Sequence, residues 1–507
     1  MLEILSGTRR IDGDTLRQHV SRLAGGLHSI GIDEDDAVLL LMRNDVEYIE
    51  VAQAVASLGA YTVSLNWHGT ADEVRYIARD ASARAIVAHA DLLHLTQGLS
   101  LPLIVVEPSA PIVDAYGVGD AVDVPASAIK WTDLLNATPL AAASKTARDP
   151  IVYTSGTTGK PKGVRRFPPQ SAQQAATMRE HLITAFGLGD ARSVLAASPL
   201  YHSGPFSYLR TALARMSNDG RVVIVPKFDP EQILALIEAH RIDHMWMVPT
   251  MFLALLRLPP EVRARYDVSS VRSILITAAP CPPEVKKQMI EWFGPVIYEF
   301  YGSTEVGPVT LATPEDALRK QGTVGRVLPG AQLQVLDEDG HPLPAGRIGE
   351  IACRHQSFPD FTYSNREPER RALDRGELIA TGDIGYLDED GHLFLCDRKS
   401  HMIISGGVNI YPAEIESIVL EHPAVKDCAV FGIPDERFGE TVALAVERVS
   451  GEALTEQDIE AFLKPRVAAY KLPRLIQFHP RLPRDDSGKI FKRVLRAPFW
   501  EKVGRNI

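Results

Sequence analysis

The stretch Tyr153-Thr154-Ser155-Gly156-Thr157-Thr158-Gly159-Lys160-Pro161-Lys162-Gly163 decides how the rest of this chain is read. It sets three glycines, four Ser/Thr hydroxyls and two lysines between apolar Ile151-Val152 and Val164. Glycine lets a backbone turn tightly enough to aim successive N–H groups at anionic oxygens, and hydroxyls and ammonium groups add charge-assisted hydrogen bonds. Such a composition describes a cradle for a polyphosphate at the end of an apolar strand. Spacing excludes a Walker A loop, because only two residues separate Gly156 from Gly159 and Pro161 follows Lys160 where Ser or Thr is required. A flexible Gly/Thr loop without a ligand is the bland alternative; two lysines behind an apolar strand argue against it.

Outward from this loop, the chain alternates helical periods with short apolar strands up to about residue 395, the pattern of a parallel sheet covered by helices. Leu16 to Gly31 and Val46 to Leu58 read as helices, and Ala37 to Leu41 and Tyr61 to Val63 as strands. The alternation recurs at Val194 to Ala197, Phe206 to Ala214, Val222 to Val225 and Pro230 to Ala239. After Gly330 the texture becomes β-rich, with strands at Gln332 to Leu336, Gly349 to Cys353 and His392 to Cys396 and turns at Asp337 to Gly340 and Asp388 to Gly391. Polar Asp397 to Ser400 marks a boundary, beyond which a compact α+β unit of about a hundred residues is expected. The fold class is therefore α/β: a large N-terminal domain (1–397) of α/β subdomains plus a β-rich part, and a small C-terminal domain (398–507). Pro108 to Pro125 is expected to be a surface loop, and no internal repeat is evident.

With 507 residues the chain needs more than one core, and a net charge of −10 without a dense Lys/Arg run speaks against a nucleic-acid partner. The polar, acidic start and the absence of any apolar run near 20 residues predict a cytoplasmic protein without a membrane span. Cys281, Cys353, Cys396 and Cys428 are too scattered for a metal-ligand pair, and the histidines form no HExxH pattern.

Four further segments join glycine to charged residues. Tyr301-Gly302-Ser303-Thr304-Glu305 follows a strand and offers an aromatic face, a hydroxyl and a carboxylate suited to Mg²⁺. Thr381-Gly382-Asp383, expected in a loop, supplies a carboxylate of the kind that accepts hydrogen bonds from ribose hydroxyls. Asp397-Arg398 precedes Ser405-Gly406-Gly407, and Ser487-Gly488-Lys489-Ile490 presents a lysine on a glycine-containing loop.

In this order, YTSGTTGKPKG, YGSTE, TGD, DRKSHMIISGGVNIYPAEIE and DSGKIFKR resemble the adenylate-forming superfamily of acyl-CoA synthetases, luciferases and peptide-synthetase adenylation domains, over roughly residues 10 to 497. The resemblance implies an AMP-forming reaction in which ATP and a carboxylic acid give an acyl-adenylate, from which a thiol then displaces AMP. It assigns Thr154, Ser155, Gly156, Thr157, Thr158, Gly159, Lys160 and Lys162 to the β- and γ-phosphates, and Tyr301 with Gly302, beside Ala278 and Ala279, to adenine. Thr304 and Glu305 serve the α-phosphate and Mg²⁺, Asp383 the ribose hydroxyls, and Arg398 the ribose and phosphate. Lys489 becomes the catalytic lysine, stabilising charge where the carboxylate meets the α-phosphate. The C-terminal domain of the family rotates about a hinge, here near 397–400, which brings Gly406 and Gly407 to the pantetheine tunnel. Phe438, Tyr470, Lys471 and Arg474 match positions that meet the nucleotide end of CoA.

Two departures stand out. Ser400 replaces the Asp or Lys usual two residues after the hinge arginine, and Arg165-Arg166-Phe167-Pro168-Pro169 replaces the Ser/Thr-His pair that usually follows the phosphate loop. His202, in Pro199 to Pro205, occupies the place where amino-acid-activating members carry an Asp, so amino-acid activation is not expected; it either gates the acyl site or packs in its wall. The segments that match the family's pocket walls, Trp246-Met247-Val248-Pro249, Ala278-Ala279 and Gly302 to Val306, are mostly apolar, so the resemblance implies a hydrophobic monocarboxylic acid, fatty or aromatic. The expected partners are that acid, ATP with Mg²⁺, and CoA, with homo-oligomerisation left open. Because the chain ends at Ile507 soon after the lysine motif, no carrier-protein segment is expected. The rivals are a stand-alone ligase loading a carrier protein, a luciferase-like oxidase, and a non-catalytic nucleotide-binding paralogue.

Overall fold

A computed structural model of the chain describes residues 1–118, 123–140, 145–154, 161–279, 281–484 and 490–501. Two mixed sheets build the large N-terminal part. In the first, of eight strands, Ile151–Thr154, Tyr61–Ser64, Ala37–Leu41, Ala83–His89, Leu103–Val106 and Ile129–Lys130 run parallel in that order. Lys162–Arg166 and Phe361–Tyr363 extend it antiparallel beyond Ile151–Thr154. The second sheet, of fourteen strands, is parallel from Leu2–Ser6 through Gly220–Ile224, Ser193–Ala196, His244–Met247 and Ser273–Ile276 to Ile297–Ser303. It continues antiparallel through Gly307–Ala312, Thr323–Val327, His392–Arg398, Leu378–Leu387, Gly349–His355 and Ala331–Leu336. The β-rich part is thus the same hydrogen-bonded sheet rather than a separate body.

Alternation along each strand sets the layers, since successive side chains point to opposite faces. Val38 and Leu40 of the first sheet share one buried cluster with Val194, Val222 and Ile224 of the second, with helices Gly13–Ser29, Val46–Ser57 and Ser203–Arg215 packed in the same cluster. Leu39 and Leu41 face a second cluster with helix Ala71–Asp80, while Leu195 and Val223 face a third with helices Pro230–His240 and Pro283–Phe293. Both sheets are covered on both faces, which is why their strands read as unbroken apolar runs. Each fully buried Leu, Ile or Val adds about 1.5–3 kcal/mol.

Beyond residue 402 a five-stranded sheet has its own core around Ile403, Ile415, Val430, Leu444 and Ile459. The large sheet ends with Arg398 and the small one begins with Ile403, so residues 399–402 join them, while Asp397 and Arg398 of the expected 397–400 hinge lie in the last strand of the large sheet. Asp397 reaches across: its carboxylate accepts from the Ala413 N–H at 2.9 Å, at the start of helix Pro412–Val419, whose N-cap Tyr411 makes no side-chain capping bond.

Three expectations need correction. The Pro108–Pro125 segment contains helix Ala110–Tyr116, and Tyr116 stacks on buried Arg43 at 3.9 Å while its hydroxyl donates to the Pro226 carbonyl. The Thr381-Gly382-Asp383 segment lies inside strand Leu378–Leu387, with Gly382 at φ +78°, and Tyr301 to Ser303 likewise belong to strand. A pentapeptide does repeat: Asp-Glu-Asp-Gly-His at 337–341 and 388–392. Both copies turn the chain the same way. The first Asp carboxylate accepts from the backbone N–H groups two and four residues on, and glycine takes φ +84° or +78°.

Candidate active site

The strands that flank the expected polyphosphate loop pair with each other. Tyr153 lies opposite Gly163 and Thr154 opposite Lys162, an antiparallel pair at the edge of the first sheet's parallel part. Ser155, Gly156, Thr157, Thr158, Gly159 and Lys160 lie outside the described residues. A Cβ on Gly163 would fall 2.7 Å from the Tyr153 ring, so glycine is required where the strands close. Below the loop, the Tyr153 hydroxyl donates to Asp80 at 2.7 Å and the Tyr76 hydroxyl to the Pro161 carbonyl at 2.9 Å. Lys162 directs its ammonium to Glu369 and lies 5.3 Å from the Tyr363 ring centroid.

Thr304 and Glu305 sit in the tight connection between Ile297–Ser303 and Gly307–Ala312. A Cβ on Gly302 would come within 2.1 Å of the Gly307 carbonyl, which leaves only glycine there. Arg166 holds this turn from behind: its Nη2 donates to the carbonyls of Thr304 at 2.8 Å and Glu305 at 2.9 Å, and its Nη1 to that of Pro359 at 2.7 Å. In front, the Tyr363 hydroxyl donates to Glu305 Oε1 at 2.9 Å. Neither Arg166 nor Tyr363 was expected in the site. The charge of Arg166 was visible as a departure after the phosphate loop, but its burial and partners were not.

Tyr301 is 6 % exposed and packs against Val324, Ile351 and Leu393. Its hydroxyl oxygen lies within hydrogen-bond distance of both Thr381 Oγ1 at 2.7 Å and Asp383 Oδ2 at 2.8 Å, tying two of the expected segments together across the second sheet. Arg398, opposite Asp383 in the strand pair, brings its Nε to 3.3 Å of Asp383 Oδ1. Burial nevertheless pushes the Asp383 carboxyl above the usual range, Arg398 opposing the shift. Ala278 and Ala279 are exposed beyond strand Ser273–Ile276, and Ala278 takes φ +77°, a left-handed conformation strained for alanine and typical of positions held by function.

Of the residues expected at the acyl site, His202 is half-buried at the N-cap of helix Ser203–Arg215, its ring centroid 4.4 Å from that of Tyr201. A Cβ on Gly204 would lie 2.5 Å from Trp246. Trp246, Phe206 and Tyr208 are buried, and Trp246 packs with Phe186, Tyr208 and Phe300 in an aromatic cluster.

In the C-terminal sheet, Gly406 and Gly407 form the turn between Ile403–Ser405 and Val408–Ile410 at φ +58° and +81°, the two positive values of a type I′ hairpin turn. Gly406 also abuts Phe438, which a Cβ would approach to 3.0 Å, whereas Gly407 faces open space. Gly406, Phe438, Tyr470 and Arg474 line one cavity of about 680 Å³, together with Glu456 and Glu460, which sequence reasoning did not single out. The Arg474 guanidinium lies 5.0 Å from the Phe438 ring centroid. Lys471 instead pairs with Glu414 at 2.6 Å. Lys489 lies outside the described residues; flanking Arg484 and Ile490 pair in an antiparallel bridge.

No helix among the described residues is long and apolar enough to cross a membrane. Comparison with known proteins gives two family models, the AMP-binding enzyme over residues 3–358 and the AMP-binding enzyme C-terminal domain over residues 414–489. A medium/long-chain-fatty-acid–CoA ligase of Mycobacterium tuberculosis is 31 % identical, over 99 % of this chain and 88 % of its own. Among solved structures, the o-succinylbenzoate CoA synthetase of Bacillus subtilis, in complex with its acyl-adenylate intermediate, matches with a TM-score of 0.79 and 25 % identity over 97 % of this chain and 94 % of that one. An amide bond synthetase from Marinactinospora thermotolerans matches with a TM-score of 0.80 and 26 % identity over 98 % and 96 %.

Proposed function

This chain belongs to the AMP-binding enzyme family, and from that premise we propose that it is an ATP-dependent, AMP-forming acid–CoA ligase acting on a hydrophobic monocarboxylic acid, fatty or aromatic, through an acyl-adenylate. The observation that carries the reading is the convergence of separately predicted segments. Tyr301 binds Thr381 and Asp383, Asp383 meets Arg398, and Arg166 joins the strand after the phosphate loop to Thr304 and Glu305.

In this reading Lys162, with Thr154 and residues 155–160, holds the β- and γ-phosphates. Asp383 and Arg398 orient the ribose, and Ala278 and Ala279 with Gly302 border the adenine. Tyr301 acts by fixing Asp383 rather than by offering a free face. Glu305 and the neighbouring hydroxyls present oxygen donors only, a set that suits Mg²⁺, which when bound neutralises phosphate charge. Lys489 stabilises the developing charge during adenylation without forming a covalent bond. Residues 397–400 serve as the hinge between 1–397 and 398–507, and the cavity at Gly406, Phe438, Tyr470 and Arg474 receives the nucleotide end of CoA. Aromatic stacking on adenine and a guanidinium near phosphate supply the contacts.

The test measures AMP formation across fatty, aryl and alicyclic acids, with and without CoA, while hydroxylamine traps any adenylate. CoA-dependent turnover on one class of acid is expected. Full turnover without CoA overturns the acceptor, and no AMP from any acid overturns the reaction. One rival acceptor has a specific motive, since the amide bond synthetase shares the fold at 26 % identity. An amine arm and a phosphopantetheinylated carrier-protein arm separate these acceptors from CoA.

A further inference from the structure

Glu305 is constrained twice, by two residues that sit on neighbouring strands. Arg166 is buried, with 7 % of its surface exposed, and closes strand Lys162–Arg166. Its guanidinium donates to two successive carbonyls, those of Thr304 and Glu305, and to the Pro359 carbonyl, while its Nε lies 3.6 Å from Asp149. Pulling two consecutive carbonyls toward the two N–H bonds of one guanidinium nitrogen, with the other nitrogen anchored on Pro359, orients both peptide planes and so aims the Cα–Cβ bond of Glu305. Tyr363 then fixes the far end of the side chain through its 2.9 Å hydrogen bond to Oε1. The two constraints share a frame, because Phe361 pairs with Arg166 and Tyr363 with Val164 in one antiparallel ladder.

That ladder is continuous with the strand that leaves the phosphate loop, so the position of the carboxylate is referred directly to the phosphates. A buried guanidinium stripped of water carries a large penalty unless its donors are used, and here they are spent on the turn rather than on a substrate.

We propose that Arg166 and Tyr363 are positioning residues that hold the Glu305 carboxylate, backbone and side chain respectively, in the orientation that binds the divalent cation of the nucleotide complex. This rests on the reading of Glu305 as the metal-binding carboxylate. Neither residue touches the reacting atoms.

The test uses the full chain with Tyr363→Phe, which keeps the ring and removes one oxygen, Arg166→Lys, which keeps the charge and loses the fork, and Glu305→Gln. Mn²⁺ binding in the presence of a non-hydrolysable ATP analogue is read by electron paramagnetic resonance, and the KM for the acid is read alongside. Loss of an outer-shell partner weakens metal affinity by about ten-fold or more. Both positioning variants should show such a loss with an unchanged acid KM, and Tyr363→Phe should melt like the parent. Unchanged Mn²⁺ affinity in a well-folded Tyr363→Phe overturns the proposal while leaving the reading of Glu305 intact. Unchanged affinity in Glu305→Gln overturns that reading and the proposal with it. Arg166→Lys is interpreted only if it folds, so Tyr363→Phe carries the decision.

Discussion

The ammonium group of Lys162 lies 2.6 Å from a carboxylate oxygen of Glu369. The hydrogen bond from Lys162 is the largest cause that holds the Glu369 carboxyl below its usual range. On the proposed reading of Lys162 as a phosphate-binding lysine, a polyphosphate entering the site competes with Glu369 for it.

Replacing Glu369 with Gln should therefore lower the KM for ATP. The Glu369 side chain is 38 % exposed, so the pair contributes about 0.2–1 kcal/mol and the expected gain is about 1.4- to 5-fold. Steady-state kinetics at saturating acid and CoA reads it. A KM that rises instead means that Glu369 positions Lys162 for the phosphate rather than competing with it.

Lys489→Ala should divide the two half-reactions. Adenylation, followed by pyrophosphate release, should fall by about 10²–10³, the range for removal of a preorganised charge-stabilising group. Thioester formation from supplied acyl-adenylate should fall much less, because the family's domain rotation takes this lysine out of the site. Equal losses in both assays contradict that assignment.

At the hairpin turn, Gly407→Ala meets no steric obstacle, yet φ +81° makes any side chain there strained by about 1–2 kcal/mol. Adenylation measured by ATP–pyrophosphate exchange should be unchanged while the CoA-dependent step slows. An equal drop in both steps shows that the turn does not act on the acceptor side. In the cavity lined by neighbouring Gly406, Glu456→Gln with Glu460→Gln removes negative charge that would face the phosphates of the proposed CoA and should lower the KM for CoA.

A pH signature comes from far away in the fold. Asp45 is buried beside Glu47 and Arg9, and burial raises its carboxyl to about 6. The folded state thus holds a proton that the unfolded chain releases near pH 4, so this group's contribution falls as pH rises from about 4 to 6 and stays low above that. Its slope cannot exceed about 1.4 kcal/mol per pH unit. Asp45→Asn retains a side-chain acceptor at the N-cap of helix Val46–Ser57. The difference in melting temperature between variant and parent should move in favour of the variant across that window. A difference that is flat with pH removes Asp45 as the cause.

Burial patterns explain why so much of the fold was legible. Strand Ala37–Leu41 matches its expected span because its five apolar residues are buried on both faces, and helix Val46–Ser57 begins at the residue expected because Asp45 caps it. Pro108 to Pro125 misled because prolines read as loop, although Pro111 stands in the first turn of its helix, where no N–H is needed. Thr381-Gly382-Asp383 misled because a glycine at positive φ can sit within a strand when the register shifts nearby, as it does between Ile384 and Gly385.

What the sequence by itself determined is the class of chemistry and the order of its parts, since glycine, hydroxyl and lysine in a given spacing carry their phosphate-binding capacity wherever the chain runs. Tertiary structure alone decided which groups work through others. Tyr301 reaches Asp383 across 82 positions, and Arg166 reaches Glu305 across 139. Hydrogen bonds of that kind depend on strands that become neighbours only when the sheets assemble, and a side chain's burial, which turns a surface charge into a positioning group, exists only once the core has formed around it.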